Sequence, residues 1–246
     1  MENAVFLKEV SSTNDYLNGF VASNRADLAD GFVAFAEKQT AGRGQASNVW
    51  ESDPGENLTF SMALFPDFLP VREQFLISQV VSLGVVDFLD DYCKIGAVSI
   101  KWPNDIYWKD FKVCGILIEN AVCGRELSSV VVGVGLNMNQ TIFRSDAPNP
   151  ISVSQITGEH YDLKAALAVL REKIMRRYEM LRRGEKEALR QSYFERLYRQ
   201  DDFYPFQDAA GAFQAKIEDV EPIGTLLLRL ENGELRRYAF KEVSFI

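Results

Sequence analysis

The sequence predicts an α+β fold over residues 1–203 and a small all-β unit over 204–246, and three observations lead there. Short β-branched or alternating runs recur through the first part, helical periodicities stand between them, and after Asp201-Asp202 only short β-type runs and turn signals remain. At 246 residues, 47 % of them hydrophobic, the chain can bury a cooperative core.

Taken in order, residues 5–10 read as a short apolar strand. Ser11-Ser12-Thr13-Asn14-Asp15 follows, with small oxygen-bearing side chains just ahead of Tyr16, Leu17 and Phe20, which is a helix N-cap signature that leaves N–H groups and hydroxyls to spare. Residues 32–36 read as a buried strand and 58–64 as a half-buried one, so the polar stretch between them is anchored on a sheet at both ends. Leu76, Ile77, Val80, Val81, Gly84, Val85, Phe88 and Leu89 recur at helical spacing and predict a helix over 71–92. The strand at 97–102 is interrupted by Pro103, which removes a ladder donor and presents Asn104 and Asp105 just past a strand end. Residues 113–119 and 129–137 read as adjacent central strands, whose Gly115, Gly133 and Gly135 imply bulges or the close approach of backbone or ligand. From 162 to 199 apolar residues recur at helical spacing among many arginines, read as a solvated face. Short runs at 213–217, 224–230 and 235–240, divided by Pro222 and the Glu231-Asn232-Gly233 turn signal, make up the all-β unit.

The stretch Gln39-Thr40-Ala41-Gly42-Arg43-Gly44-Gln45 carries the most chemistry. Its glycines let backbone N–H groups approach an anion, and the guanidinium recognises phosphate or carboxylate. Neither standard nucleotide motif is met: a dinucleotide fingerprint needs glycine where Ser47 and Met138 stand, and no Gly-Lys-Ser/Thr triplet follows. A formal charge of -8 argues against a nucleic-acid partner, the lack of a long apolar run argues against a membrane, and three cysteines without a close pair suit a cytoplasmic protein. The single histidine, His160, sits in a polar stretch and is expected at the surface, so a histidine-based triad has too few parts.

Five ordered segments together resemble the biotin protein ligases: Ser11-Ser12-Thr13-Asn14; Gln39 to Gly44 with Trp50; Lys101-Trp102-Pro103-Asn104-Asp105; Lys112 to Glu119; and Gly133 to Asn139. The resemblance implies a mixed β-sheet flanked by helices, the class II synthetase-like core of biotin and lipoate ligases, with an SH3-like β-barrel at the C-terminal side. It implies the substrates biotin and ATP with Mg²⁺, a biotinyl-5′-AMP intermediate, and transfer to a lysine of a biotin carboxyl carrier protein or domain, by a monomer or homodimer. By the same resemblance Lys112, Arg43 and Asp105 are the catalytic candidates, with Asp105 taking the proton of the incoming lysine. Biotin is expected at Ser12, Thr13, Asn14, Gln39, Gly42, Arg43, Gly44, Gln45, Lys112 and Gly115, the ureido ring at Ser12, Thr13 and Gln39. ATP is expected at Arg43, Gln45, Trp50, Asn104, Lys112 and Asn137, although ordinary core packing is the alternative for Trp50 and Trp102. A loop over 40–50 is expected to fold over the adenylate and exclude water.

Two residues depart from the pattern: Gln45 replaces a charge found in some members, which lessens adenylate retention, and Ser47 stands at the usual third glycine. No helix-turn-helix precedes Ser11, so the short, ligase-only class is expected. A lipoate or octanoate attachment enzyme, which needs a long apolar tunnel, is the nearest rival; a biotin sensor is the rival from another class.

Overall fold

Alternating and β-branched runs fold as strands in the computed structural model, which describes residues 3–45, 48–144 and 149–246. Strands β1 (Ala4–Val10), β2 (Phe32–Gln39), β3 (Leu58–Leu64), β4 (Val98–Lys101), β5 (Asp105–Trp108), β6 (Phe111–Cys123) and β7 (Glu126–Leu136) form one sheet in the order β1-β2-β3-β7-β6-β5-β4. β1 and β2 pair in parallel and the other neighbours antiparallel, so the sheet is mixed. A parallel pair needs a crossover, and helix α1 (Thr13–Asn24) provides it.

The two faces of this sheet differ in what covers them. On one face Val33, Phe35, Met62 and Val132 pack into the main core with α2 (Phe75–Asp91), and beyond a short α3 (Val153–Thr157) the core also takes in α4 (Leu163–Arg182) and α5 (Lys186–Glu195). Gly84 lets α2 and α4 close up, because a Cβ there would lie 2.7 Å from the Ile174 backbone. On the other face α1 is the one helix among the described residues, and its Leu17 and Val21 pack on Ala34, Ala63 and Val131. Side chains alternate along β7, so Gly133 and Gly135 lie on this second face and leave it open past the N-terminus of α1.

Two sequence expectations change. The helix predicted over 71–92 begins with a single 3₁₀ turn at Val71–Glu73, and the stretch 162–199 divides at Gly184, whose φ of +81° ends α4. The arginine-rich face is not simply solvated: Arg177 grips Asp87 of α2 through Nε at 2.6 Å and Nη2 at 2.8 Å, and Lys173 reaches Asp91 at 2.6 Å.

Strands β8 (Tyr204–Asp208), β9 (Gly211–Val220), β10 (Leu226–Leu230), β11 (Leu235–Tyr238) and β12 (Ser244–Phe245) form a second, antiparallel sheet in the order β11-β10-β9-β8-β12. Gly233, at φ +86°, turns the β10–β11 hairpin. Phe206, Ile217, Leu226 and Leu228 of this sheet are buried, and the Trp102 indole N–H donates to the Gly224 carbonyl at 3.0 Å, tying the two sheets together. Among the described residues no helix is long and apolar enough to cross a membrane.

Candidate active site

The open part of the α1 face is a cavity of about 790 Å³ whose floor is glycine. Gly115 of β6 pairs with Gly135 of β7, and the Trp50 indole lies on both; a Cβ at Gly115 would come within 2.8 Å of its ring. Asn14 occupies the gap above Gly133 in the same way. Glycine in these strands therefore makes room for side chains of the protein itself, with ligand space beside them.

One end of the cavity is neutral and polar. Ser12, Thr13 and Asn14 sit buried at the start of α1, where Ser12 Oγ accepts the Asp15 N–H at 3.4 Å. Gln39 Oε1 accepts the Thr13 N–H at 2.8 Å and stands 3.1 Å from Thr13 Oγ1. Behind them Ser61 Oγ lies 2.8 Å from Thr13 Oγ1 and 2.5 Å from Asn14 Oδ1, while Asn14 Nδ2 donates to Glu119 at 2.9 Å and to the Leu117 carbonyl at 3.4 Å.

The other end is charged. Lys112 Nζ stands 2.6 Å from Asp105 Oδ2, both side chains partly shielded. Lys101 Nζ lies 4.9 Å from the Tyr107 ring centre and 5.3 Å from that of Phe245, and burial pulls its amine below the usual lysine range. Burial, with the nearby Asp105 charge, pushes the Tyr107 phenol up. Cys114 is fully buried beside Lys112, and burial holds its thiol protonated, which leaves it a packing residue.

The loop after β2 spans the two ends. Arg43 bridges Val49, the Trp50 N–H donates to the Gly42 carbonyl at 3.0 Å, and the Gly44 N–H to Asn48 at 2.7 Å. Arg43 Nη2 pairs with Asp15 at 2.6 Å and Glu119 at 3.0 Å, and Gln45 Nε2 donates to Asn104 Oδ1 at 3.1 Å. Ser47 lies outside the described residues.

Ser12, Thr13, Asn14, Gln39, Arg43, Gly44, Gln45, Trp50, Asp105, Lys112, Gly115 and Asn137 thus surround one space. Gly42 and Asn104 do not line it: Gly42 is pressed against the Trp50 carbonyl, and Asn104 is buried with its amide shared between Gln45 and the Ile116 carbonyl. Asn137 Nδ2 donates to the Ile151 carbonyl at 3.1 Å, whereas its Oδ1, like Trp50 Nε1, is buried with no partner among the described residues. His160 is exposed. Sequence reasoning missed Ser61, Glu119 as a partner of Arg43, and the wall that Lys241 to Phe245 contribute from the second sheet. The expectation of a half-buried strand over 58–64 put Ser61 on an outer face; β3 is buried along its whole length and Ser61 turns to Thr13 and Asn14, so neither it nor the distant wall left a signal.

The family model of the Biotin/lipoate A/B protein ligase family matches residues 6–137. The chain is 35 % identical over 147 residues to the bifunctional ligase/repressor BirA of Bacillus subtilis, covering 58 % of this chain and 43 % of that protein. It is 34 % identical over 134 residues to the biotin--[acetyl-CoA-carboxylase] ligase of Mycobacterium tuberculosis, covering 54 % and 48 %. These alignments span about half or less of the curated relatives' length. The Aquifex aeolicus biotin protein ligase solved with biotin and ATP superposes with a TM-score of 0.80 over 100 % of this chain and 99 % of that one; at 24 % identity, this is a likeness of fold.

Proposed function

The chain belongs to the biotin/lipoate A/B protein ligase family, and from that premise we propose that it is an ATP-dependent biotin protein ligase acting on a biotin carboxyl carrier domain. One observation carries the reading: a single cavity of about 790 Å³ joins a neutral hydroxyl and amide end to a lysine-bearing end. Biotin has that division, a ureido ring at one end and a carboxylate at the other. A lipoate enzyme would need an apolar tunnel where Ser12, Thr13 and Gln39 stand.

In the first half-reaction a biotin carboxylate oxygen bonds to the α-phosphorus of ATP, the bond to the bridging oxygen breaks, and pyrophosphate leaves. Such a step needs position and positive charge more than an enzyme nucleophile. Lys112 supplies the charge at the carboxylate and then at the adenylate phosphate. Arg43 follows when the ligand draws it from Asp15 and Glu119. In the second half-reaction the acceptor lysine amine attacks the anhydride carbonyl and AMP leaves, with Asp105 accepting the amine proton. Trp50 and Asn137 belong to the nucleotide side. Mg²⁺ brought by ATP fits a site held mainly by phosphate oxygens and completed by the unpartnered Asn137 Oδ1; it would offset phosphate charge. We divide the chain into a catalytic domain over 1–203 and a β domain over 204–246, and assign it to the cytoplasm, which fits its three free cysteines. Solved proteins of this fold, that of Aquifex aeolicus holding biotin and ATP and that of Leishmania major holding biotinyl-5-AMP, support this sequence of states.

Biotin-dependent exchange of labelled pyrophosphate into ATP tests the proposal. Exchange with biotin, and none with lipoate or octanoate, is the expected result. Exchange only with the latter acids would transfer the chain to lipoate chemistry, and binding of biotin without exchange would make it a sensor.

A further inference from the structure

We infer that Ser61 is a positioning residue: backed by Asn14 and Glu119, it fixes Thr13 as a hydrogen-bond acceptor for a ring N–H and so makes the neutral end selective for a cyclic urea. The inference rests on the biotin reading above and concerns how the ligand ring is distinguished.

The argument is an accounting of protons along one chain of contacts. Asn14 Nδ2 faces two groups that can only accept, the Glu119 carboxylate at 2.9 Å and the Leu117 carbonyl at 3.4 Å. Its amide orientation is therefore set, because the reverse would place an oxygen against two acceptors. Asn14 Oδ1 must then accept, and the group 2.5 Å from it is the Ser61 hydroxyl. Ser61 has one proton and spends it there. Its oxygen, 2.8 Å from Thr13 Oγ1, can only accept from Thr13. The other neighbour of the Thr13 hydroxyl, Gln39 Oε1 at 3.1 Å, is likewise an acceptor. Whichever of the two it serves, the Thr13 proton points into the protein and a lone pair points at the cavity.

The remaining groups complete the pattern. Gln39 Oε1 is occupied by the Thr13 N–H, so its Nε2 is left to donate, and Ser12 Oγ accepts the Asp15 N–H while its own proton is uncommitted among the described residues. The cavity end thus offers two donors and one acceptor. A cyclic urea answers with a carbonyl between two N–H groups; a dithiolane ring or an alkyl chain leaves all three unanswered, at the cost that desolvated polar groups carry. Asn14, whose two amide protons go to Glu119 and Leu117 and whose oxygen faces Ser61, braces this end.

Calorimetric titration of the full chain with biotin tests the relay in four forms: wild type, Ser61→Ala, Thr13→Val and the double variant. Ser61→Ala leaves the Thr13 proton only the longer contact to Gln39 Oε1, an oxygen that already accepts the Thr13 N–H, so Thr13 is held less firmly as an acceptor and biotin Kd rises about three- to tenfold, the worth of one weakened hydrogen bond. Because Ser61 acts through Thr13, the double variant binds no worse than Thr13→Val alone. Ser61→Cys, a weak donor, falls between wild type and Ser61→Ala, and the KM for ATP is unchanged throughout. Additive losses, or an equal rise in the ATP KM, would overturn the relay in a chain that still binds biotin. A wild-type chain that does not bind biotin would overturn the relay and the ligase reading together.

Discussion

Lys112 and Asp105 are 2.6 Å apart, yet the two half-reactions proposed above ask different things of them. Adenylation needs the lysine's charge; transfer needs a carboxylate that can take a proton. Lys112→Ala is expected to lower biotin-dependent pyrophosphate exchange by at least about two orders of magnitude, the usual loss when a preorganised charge is removed. Its fold should persist, since the side chain lines the cavity and is no part of the hydrophobic core. Asp105→Asn should keep exchange within a few-fold and slow delivery to a carrier domain instead, so the two assays separate the roles; a variant that loses both equally would make Asp105 only an orienting partner of Lys112. At this scale the sequence was informative wherever cavity-lining residues belong to a contiguous motif, as for Lys112 and Gln39. It was poorest where the role depends on what lies behind a residue. Asn14 reads as a ligand contact from its motif and lines the cavity, but its amide is also held by Glu119, Leu117 and Ser61, which come from two other strands.

Strands β6 and β7 show the same limit one level up. Their glycines were legible as close-approach positions, but the body approaching them turns out to be Trp50 over Gly115 and Gly135, and Asn14 over Gly133. Periodicity places elements well because burial repeats along them; it cannot say which loop returns to cover a strand. The division at Gly184 and the two-residue β12 escaped for a related reason, being shorter than any period. The glycine floor gives a direct expectation. Gly135→Ala should leave the strand intact, since alanine suits a strand no worse, but the methyl collides with the indole, and overpacking of this kind costs about 1–3 kcal/mol. That cost falls on the loop after β2, so the variant should melt near the wild-type temperature while its tryptophan emission shifts as Trp50 leaves the floor; unchanged emission would place Trp50 elsewhere.

On the scale of the whole molecule, most of the carboxylates held below their ordinary range among the described residues belong to the second sheet, Asp91 of α2 being the exception. Tyr238 and the Ala210 N–H hold Asp208 below its ordinary 3.8, Arg229 holds Glu218 below 4.5, and Arg236 does the same for Glu234. Each carboxylate has a lower pKa folded than unfolded, so the unfolded chain binds more protons in that window. The stability they contribute is complete above about pH 4.5 and drains away as pH falls through the folded values. Acid should therefore loosen the Tyr204–Phe245 region before the first sheet, read as earlier amide exchange there than in β3 and β7, and Glu218→Gln should flatten that dependence. Simultaneous acid loss of both sheets would show that the shared core and the Trp102–Gly224 bond override these surface charges. The wall contributed by Lys241 to Phe245 also bears on synthesis. A nascent chain displays every motif residue from Ser12 to Asn137 long before residues 240–245 are made, so the cavity can be walled only after the second sheet has been synthesised.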